Sequence, residues 1–143
     1  MIVENIFENK IFPELKKYVE EKSIYKPTVT KVMPQQSKVF PIVPVKLLPV
    51  TNKHNNLSYG EETYTFGIEI NVYSMTSGKT SKRTICNEVT EQVVDYFKNN
   101  YHVTIKTELD ALNADSNVHR NIIKITGTLD TKYGLDNLVI YPV

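Results

Sequence analysis

Of 143 residues one is cysteine, none is tryptophan and five are glycine. A single thiol, Cys86, excludes an internal disulfide framework and fits a reducing compartment. Scarce glycine leaves little material for a phosphate-cradling loop. No run of eighteen apolar residues exists, so no membrane span is expected. The opening residues carry Glu4 and Glu8 within their apolar pattern, whereas a secretory leader has a basic start and an uninterrupted apolar run. Neither sign of charge dominates. The first sixty residues hold nine Lys against five Glu, a net of +4, and the remainder is −3, which sums to the +1 of the chain. Such a balance argues against a general electrostatic binder of nucleic acid. The length is that of one domain, 1–143, with a sizeable core.

Hydrophobic patterning is clearest over residues 64–97. Phe66, Ile68, Ile70 and Val72 alternate with Thr65, Gly67, Glu69 and Asn71, the period of a strand with one buried face. A polar stretch follows from Ser74. From Ser81 the period changes: Ile85, Val89, Val93 and Phe97 recur every four residues and form one helical stripe. Before this unit, residues 1–23 have helical spacing through Val3, Ile6, Phe7, Ile11, Leu15, Tyr18 and Val19, with Pro13 predicting a kink. Residues 24–34 read as extended and 35–38 as a turn. Residues 39–50 are apolar but interrupted by Pro41, Pro44 and Pro49, which cannot donate to a ladder. An edge strand, or an extended arm lying on another surface, fits them. Residues 51–62 are polar and Asn-rich, the tip of a long hairpin if 39–50 pairs with 63–73. After the helix, closed by Asn99 and Asn100 with their tolerance of left-handed backbone, strands are expected over 103–109, 121–130 and 138–141. The fold class is α+β: a mostly antiparallel or mixed sheet, an N-terminal and a central helix packed on one face, and a long hairpin between them.

Chemistry-bearing residues do not assemble into a reactive pattern. His54, His102 and His119 lack metal-ligand spacing and read as solvated surface side chains. Ser77-Gly78-Lys79-Thr80 resembles the end of a phosphate-binding loop, but Tyr73 stands where that motif needs its first glycine. Cys86, beside the apolar stripe, reads as a buried structural thiol. No nucleophile pairs with a base, so an enzyme is not expected and neither metal nor cofactor is implied. The one local charge cluster after the N-terminal helix is Lys79, Lys82 and Arg83, opening a helix where the dipole mildly disfavours cations; it reads as a solvated turn, as a pair for Glu88 and Glu91, or as a contact for an outside partner.

Three stretches carry a resemblance: Y-T-F-G-I-E-I-N-V-Y-S from Tyr64, S-K-R-T-I-C-N-E-V-T-E-Q-V from Ser81, and R-N-I-I-K-I-T-G-T-L-D from Arg120, after an initial helix and K-V-F-P-I-V-P-V. In this order they resemble the tail-terminator (tail-completion) proteins of long-tailed bacteriophages and phage-tail-like particles. Ala114-Asp115-Ser116-Asn117 departs from the paired Asp common in that family's late loop. The resemblance implies a structural protein of the virion tail, assembled in the host cytoplasm without a cofactor. It would form a homo-oligomeric ring, hexameric in the family, that caps the tail tube, stops its polymerisation and meets the head–tail connector or sheath. It further implies two complementary patches per subunit. Val39, Phe40, Pro41, Val43, Leu47 and Leu48 of the proline-rich arm, with His54, Leu57 and Tyr59 of the Asn-rich segment, are the candidates for one. Lys79, Lys82 and Arg83 are candidates for the tube or lumen side, where DNA passes. Another neck component, or a small nucleic-acid-binding module, is the alternative.

Overall fold

The chain is described by a computed structural model for residues 2–31, 39–56, 61–130 and 139–141. It opens with α1 (Ile2–Ile6), a π-helical turn (Phe7–Ile11) and α2 (Phe12–Lys22). Strands β1 (Thr28–Thr30), β2 (Ile42–Leu47), β3 (Thr51–Asn56) and β4 (Glu61–Ser74) precede α3 (Lys82–Asn100), and β5 (Thr104–Glu108), β6 (His119–Asp130) and β7 (Val139–Tyr141) follow it. The strands form one mixed sheet in the order β1-β2-β4-β6-β5, with β3 paired to β4 and β7 to β6. Among the described strands, only β1 and β2 run parallel. The fold is α+β.

The N-terminal helix shows how sequence sets shape. Val3, Phe7, Ile11, Leu15 and Val19 are all buried, one every four residues. In a regular α-helix that spacing drifts by roughly 40° per step. The wider π turn takes back part of the drift and keeps the stripe on the core. It also meets the expectation of a break near Pro13, which follows directly. The Phe12 N–H reaches back to Phe7 O, five residues away, and Pro13 then opens α2 where a missing N–H costs little.

The centre is the β4–β6 ladder, unbroken from Thr63↔Asp130 to Ser74↔His119. Its inward residues meet in pairs, Ile68↔Ile125, Ile70↔Ile123 and Tyr64↔Leu129, all buried. Phe66 faces Gly127, and a Cβ there would stand 2.9 Å from Phe66 Cζ and 3.1 Å from Val103 Cγ1. The glycine makes room for the ring. α3 lies on β4 and β6 through Cys86, Val89, Val93 and Phe97, and α2 packs on α3. Glu14 meets Tyr96 at one end of that seam and Ser23 meets Glu88 at the other, so the two helices run antiparallel. Ser81 caps α3 by accepting from Thr84 N.

Three expectations need correction. The proline-rich stretch is not an edge: β2 lies between β1 and β4. Proline lacks an N–H but keeps its carbonyl, and Thr28 N donates to Pro41 O at 3.0 Å. The β2–β4 ladder passes from Ile42↔Tyr73 to Val45↔Ile70 in unchanged register, stepping over Pro44. The Asn-rich segment is not all loop, since Thr51–Asn56 is a strand against β4 with a register shift between Asn52 and His54. Finally, α3 does not end on a left-handed Asn. Tyr101 is extended at φ −140°, its N–H bonds to Phe97 O, and the Asn100 side chain donates to Tyr96 O. The turn expected at 35–38 lies outside the described residues.

Candidate interaction surface

At the end of the sheet where β4 leaves and β6 enters, two connections meet. The first, after Ser74, is a tight turn in which Ser77 and Thr80 exchange backbone hydrogen bonds at 3.0 and 2.9 Å. Gly78 at φ +57° supplies the left-handed backbone that such a turn needs, and Lys79 is at its tip, exposed. This is a hairpin-like turn, not a phosphate loop. Ser74 Oγ donates to Lys82 O and ties the strand end to the start of α3.

The second connection, residues 109–118, is fixed by its own network. Asp110 takes φ +59°, a conformation Asp tolerates, and its N–H donates to Asn121 Oδ1 at 3.0 Å. Ala111 N donates to Arg120 O at 2.7 Å, and Arg120 Nη1 donates to Leu112 O at 2.9 Å. Asn117 N and Val118 N both turn back on Asp115. The result is a pinned loop that presents Leu109 (58 % exposed) and Leu112 (93 %) to solvent.

The basic cluster is partly engaged here. Lys82 Nζ donates to Ser116 O at 2.6 Å and Arg83 reaches Asp110 at 3.4 Å. These partners stand in place of Glu88 and Glu91, the carboxylates the sequence offered as one option; the Glu88 carboxylate instead accepts from Ser23 Oγ and Gln92 Nε2. Lys82 and Arg83 thus brace the loop against α3, while Lys79 stands clear of it.

Beneath lies a buried polar layer. Asn121 is fully buried; its Nδ2 donates to Asn87 Oδ1 and Thr90 Oγ1, both at 2.9 Å, and its Oδ1 accepts from Asp110 N. Cys86 is fully buried as expected, its thiol donates to Val72 O at 3.2 Å, and burial pushes its pKa up to about 11. His119 corrects the surface reading: it is 5 % exposed, with Nδ1 3.5 Å from Asp110 Oδ1. A signal for this was present, because position 119 continues the inward alternation of 121, 123 and 125 by one more step. His102 is exposed as expected.

The proline-rich arm is largely turned inward. Pro41 and Val43 are buried in the chain's own core, Leu47 packs against that core, and Leu48 lies over Gly67, its Cδ1 3.1 Å from where a Cβ would be. Of the arm candidates, Val39 is exposed and Phe40 half-buried. Leu57 and Tyr59 lie outside the described residues, as does the side chain of His54.

At the far end of α3, α2 and α3 border an open groove of about 350 Å³. Tyr18 and Tyr96 contribute to it with ring centroids 5.7 Å apart, and Glu14, Lys17, Glu21 and Asn100 complete its lining. Tyr96 Oη bonds to Glu14 and Tyr101. Burial, and then the Tyr101 hydroxyl, hold the Tyr96 phenol well above its usual range, so it stays a donor. Sequence reasoning missed this groove because it needs residues eighty positions apart.

No protein-family model matches the sequence, and no curated protein matches it. No helix among the described residues is long and apolar enough to cross a membrane.

Proposed function

We propose that this chain is a tail-terminator-type assembly protein: one subunit of a homo-oligomeric, hexameric ring that caps a phage tail tube, ends its polymerisation and offers a face to the head–tail connector or sheath. The observation that carries this is the ordered set of motifs from Tyr64, Ser81 and Arg120. In the fold these are β4, the start of α3, and β6, which together build the core. A binding role is further supported by the rigid apolar loop at one end of the sheet and by the burial of the one thiol, which is hydrogen-bonded and held protonated. In this reading the protein belongs to the virion neck and is assembled in the host cytoplasm.

The test is mass in solution with negative-stain imaging, alone and with purified tail tubes. Rings seated on tube ends are the expected result. A protein that stays monomeric and leaves tube ends bare would remove the proposal. Another neck component would instead decorate heads or connectors. The nucleic-acid reading has less support, since the chain has a net charge of only +1 and Arg83 of the basic cluster already lies beside Asp110. Salt-sensitive retardation of duplex DNA in a gel would favour it.

A further inference from the structure

The strand order ends at β1, which runs parallel to β2 with Thr28↔Ile42, Val29↔Val43 and Thr30↔Pro44 in register. Along an extended strand one residue turns its N–H and C=O to one side, and the next turns both to the other. Thr28 N donates to Pro41 O, so Thr28 faces β2 and Val29 faces away from it. On that outer side both backbone groups of Val29 are taken by side chains of α2. Val29 N donates to Glu20 Oε2 at 3.0 Å, and Lys16 Nζ donates to Val29 O at 2.9 Å. Lys16 Nζ also donates to Glu20 Oε2 at 2.7 Å, which closes the arrangement. We propose that Lys16 and Glu20 are an edge guard: the pair takes the place of one residue of a further strand and shuts this side of the sheet to strand addition by another chain, a second copy included.

Three observations carry it. First, the chemistry is that of a neighbouring strand. Such a strand offers an acceptor to the Val29 N–H and a donor to its C=O. Glu20 brings a carboxylate and Lys16 an ammonium to those same two groups. Hydrogen bonds to charged groups are the stronger ones, so an incoming amide would displace better partners than it brings. Second, α2 sets the spacing. Positions 16 and 20 are neighbours on one face of the helix, and α2 packs beside β1. Leu15 and Val19, one residue before each, are fully buried and hold the helix to the core. Third, the pair is not itself core. The Lys16 and Glu20 side chains are 42 % and 33 % exposed, and an ion pair so placed contributes little to stability. An edge strand with bare backbone groups, by contrast, is a template for pairing with another chain. With the pair in place, Val29, the one residue of β1 that faces outward, has no N–H left to give.

The experiment uses the full chain and two measurements, hydrogen exchange of the Val29 amide by NMR and sedimentation over a concentration series. Lys16→Ala with Glu20→Ala removes both side chains and leaves good helix formers in α2, so its circular dichroism and urea midpoint should stay close to those of the parent. At low concentration its Val29 amide should exchange about tenfold faster or more. As concentration rises, species larger than any of the parent should appear, and the Val29 amide should become protected again within them. Glu20→Gln keeps an oxygen for the Val29 N–H and should keep both the protection and the parent's sedimentation. A double variant that retains the parent's Val29 protection overturns the guard, because Glu20 then does not hold that amide. One that loses the protection and still sediments like the parent at every concentration overturns it too, because the bare edge then attracts no strand. Glu20→Gln that associates like the double variant would show that charge, not hydrogen bonding, closes the edge, and would overturn the strand-mimicking pair. Should the double variant lose its fold, Glu20→Ala alone carries the same two measurements with the same outcomes.

Discussion

Cys86 and Gly127 show how single residues are held to their identity by what surrounds them. The Cys86 thiol is raised from 9.0 to about 11, chiefly by burial. Below pH 9 it is protonated in both folded and unfolded chains, and its contribution to stability is fully present. Between pH 9 and pH 11 the unfolded chain loses the proton while the folded one keeps it, so stability falls with rising pH, by about 2–3 kcal/mol over the window. Urea midpoints measured at pH 8 and pH 11 should show this decline in the parent, and a smaller one in Cys86→Ala. Gly127 is constrained by space. Its backbone is ordinary strand, but an added Cβ would press on the buried Phe66 ring and on Val103. Gly127→Ala should therefore cost about 1–3 kcal/mol, the range for overfilling a packed core, read as a lower thermal midpoint. Gly127, within the stretch from Arg120, thus has a local physical cause in this chain.

At the scale of elements, hydrophobic period was a reliable guide wherever one face of a strand or helix meets the core. Phe66, Ile68, Ile70 and Val72 are buried in β4, and Ile85, Val89, Val93 and Phe97 in α3, as their spacing predicts. Period says nothing about lateral order in a sheet. The prolines of 39–50 suggested an edge because a central strand needs donors; β2 is internal because β1 pairs with it over only three residues and the β4 ladder steps over Pro44. His119 was misread because its strand starts two residues earlier than the polar sequence suggested. The groove and the braced loop were illegible, since each depends on residues brought together from distant segments. Two side chains link these elements. Asn121 joins β6 to α3 and to Asp110; Asn121→Leu would leave Thr90 Oγ1 and the Asp110 N–H without that partner, at about 2–3 kcal/mol. Faster amide exchange over 109–118 should accompany the loss. Ser81→Ala removes the acceptor for Thr84 N and should cost about 1 kcal/mol by denaturant titration, with fraying limited to the first turn of α3.

For the whole molecule, charge placement predicts how folding responds to salt. Among the described residues, the ion pairs Lys16–Glu20, Lys31–Glu8 and Arg83–Asp110 are about a third or more exposed at both ends. Exposed pairs contribute at most about 1 kcal/mol each, and the sheet and helices are held by apolar burial. Raising salt from 0.05 M to 1 M, which shortens the screening length to about 3 Å, should leave the urea midpoint of the monomer nearly unchanged.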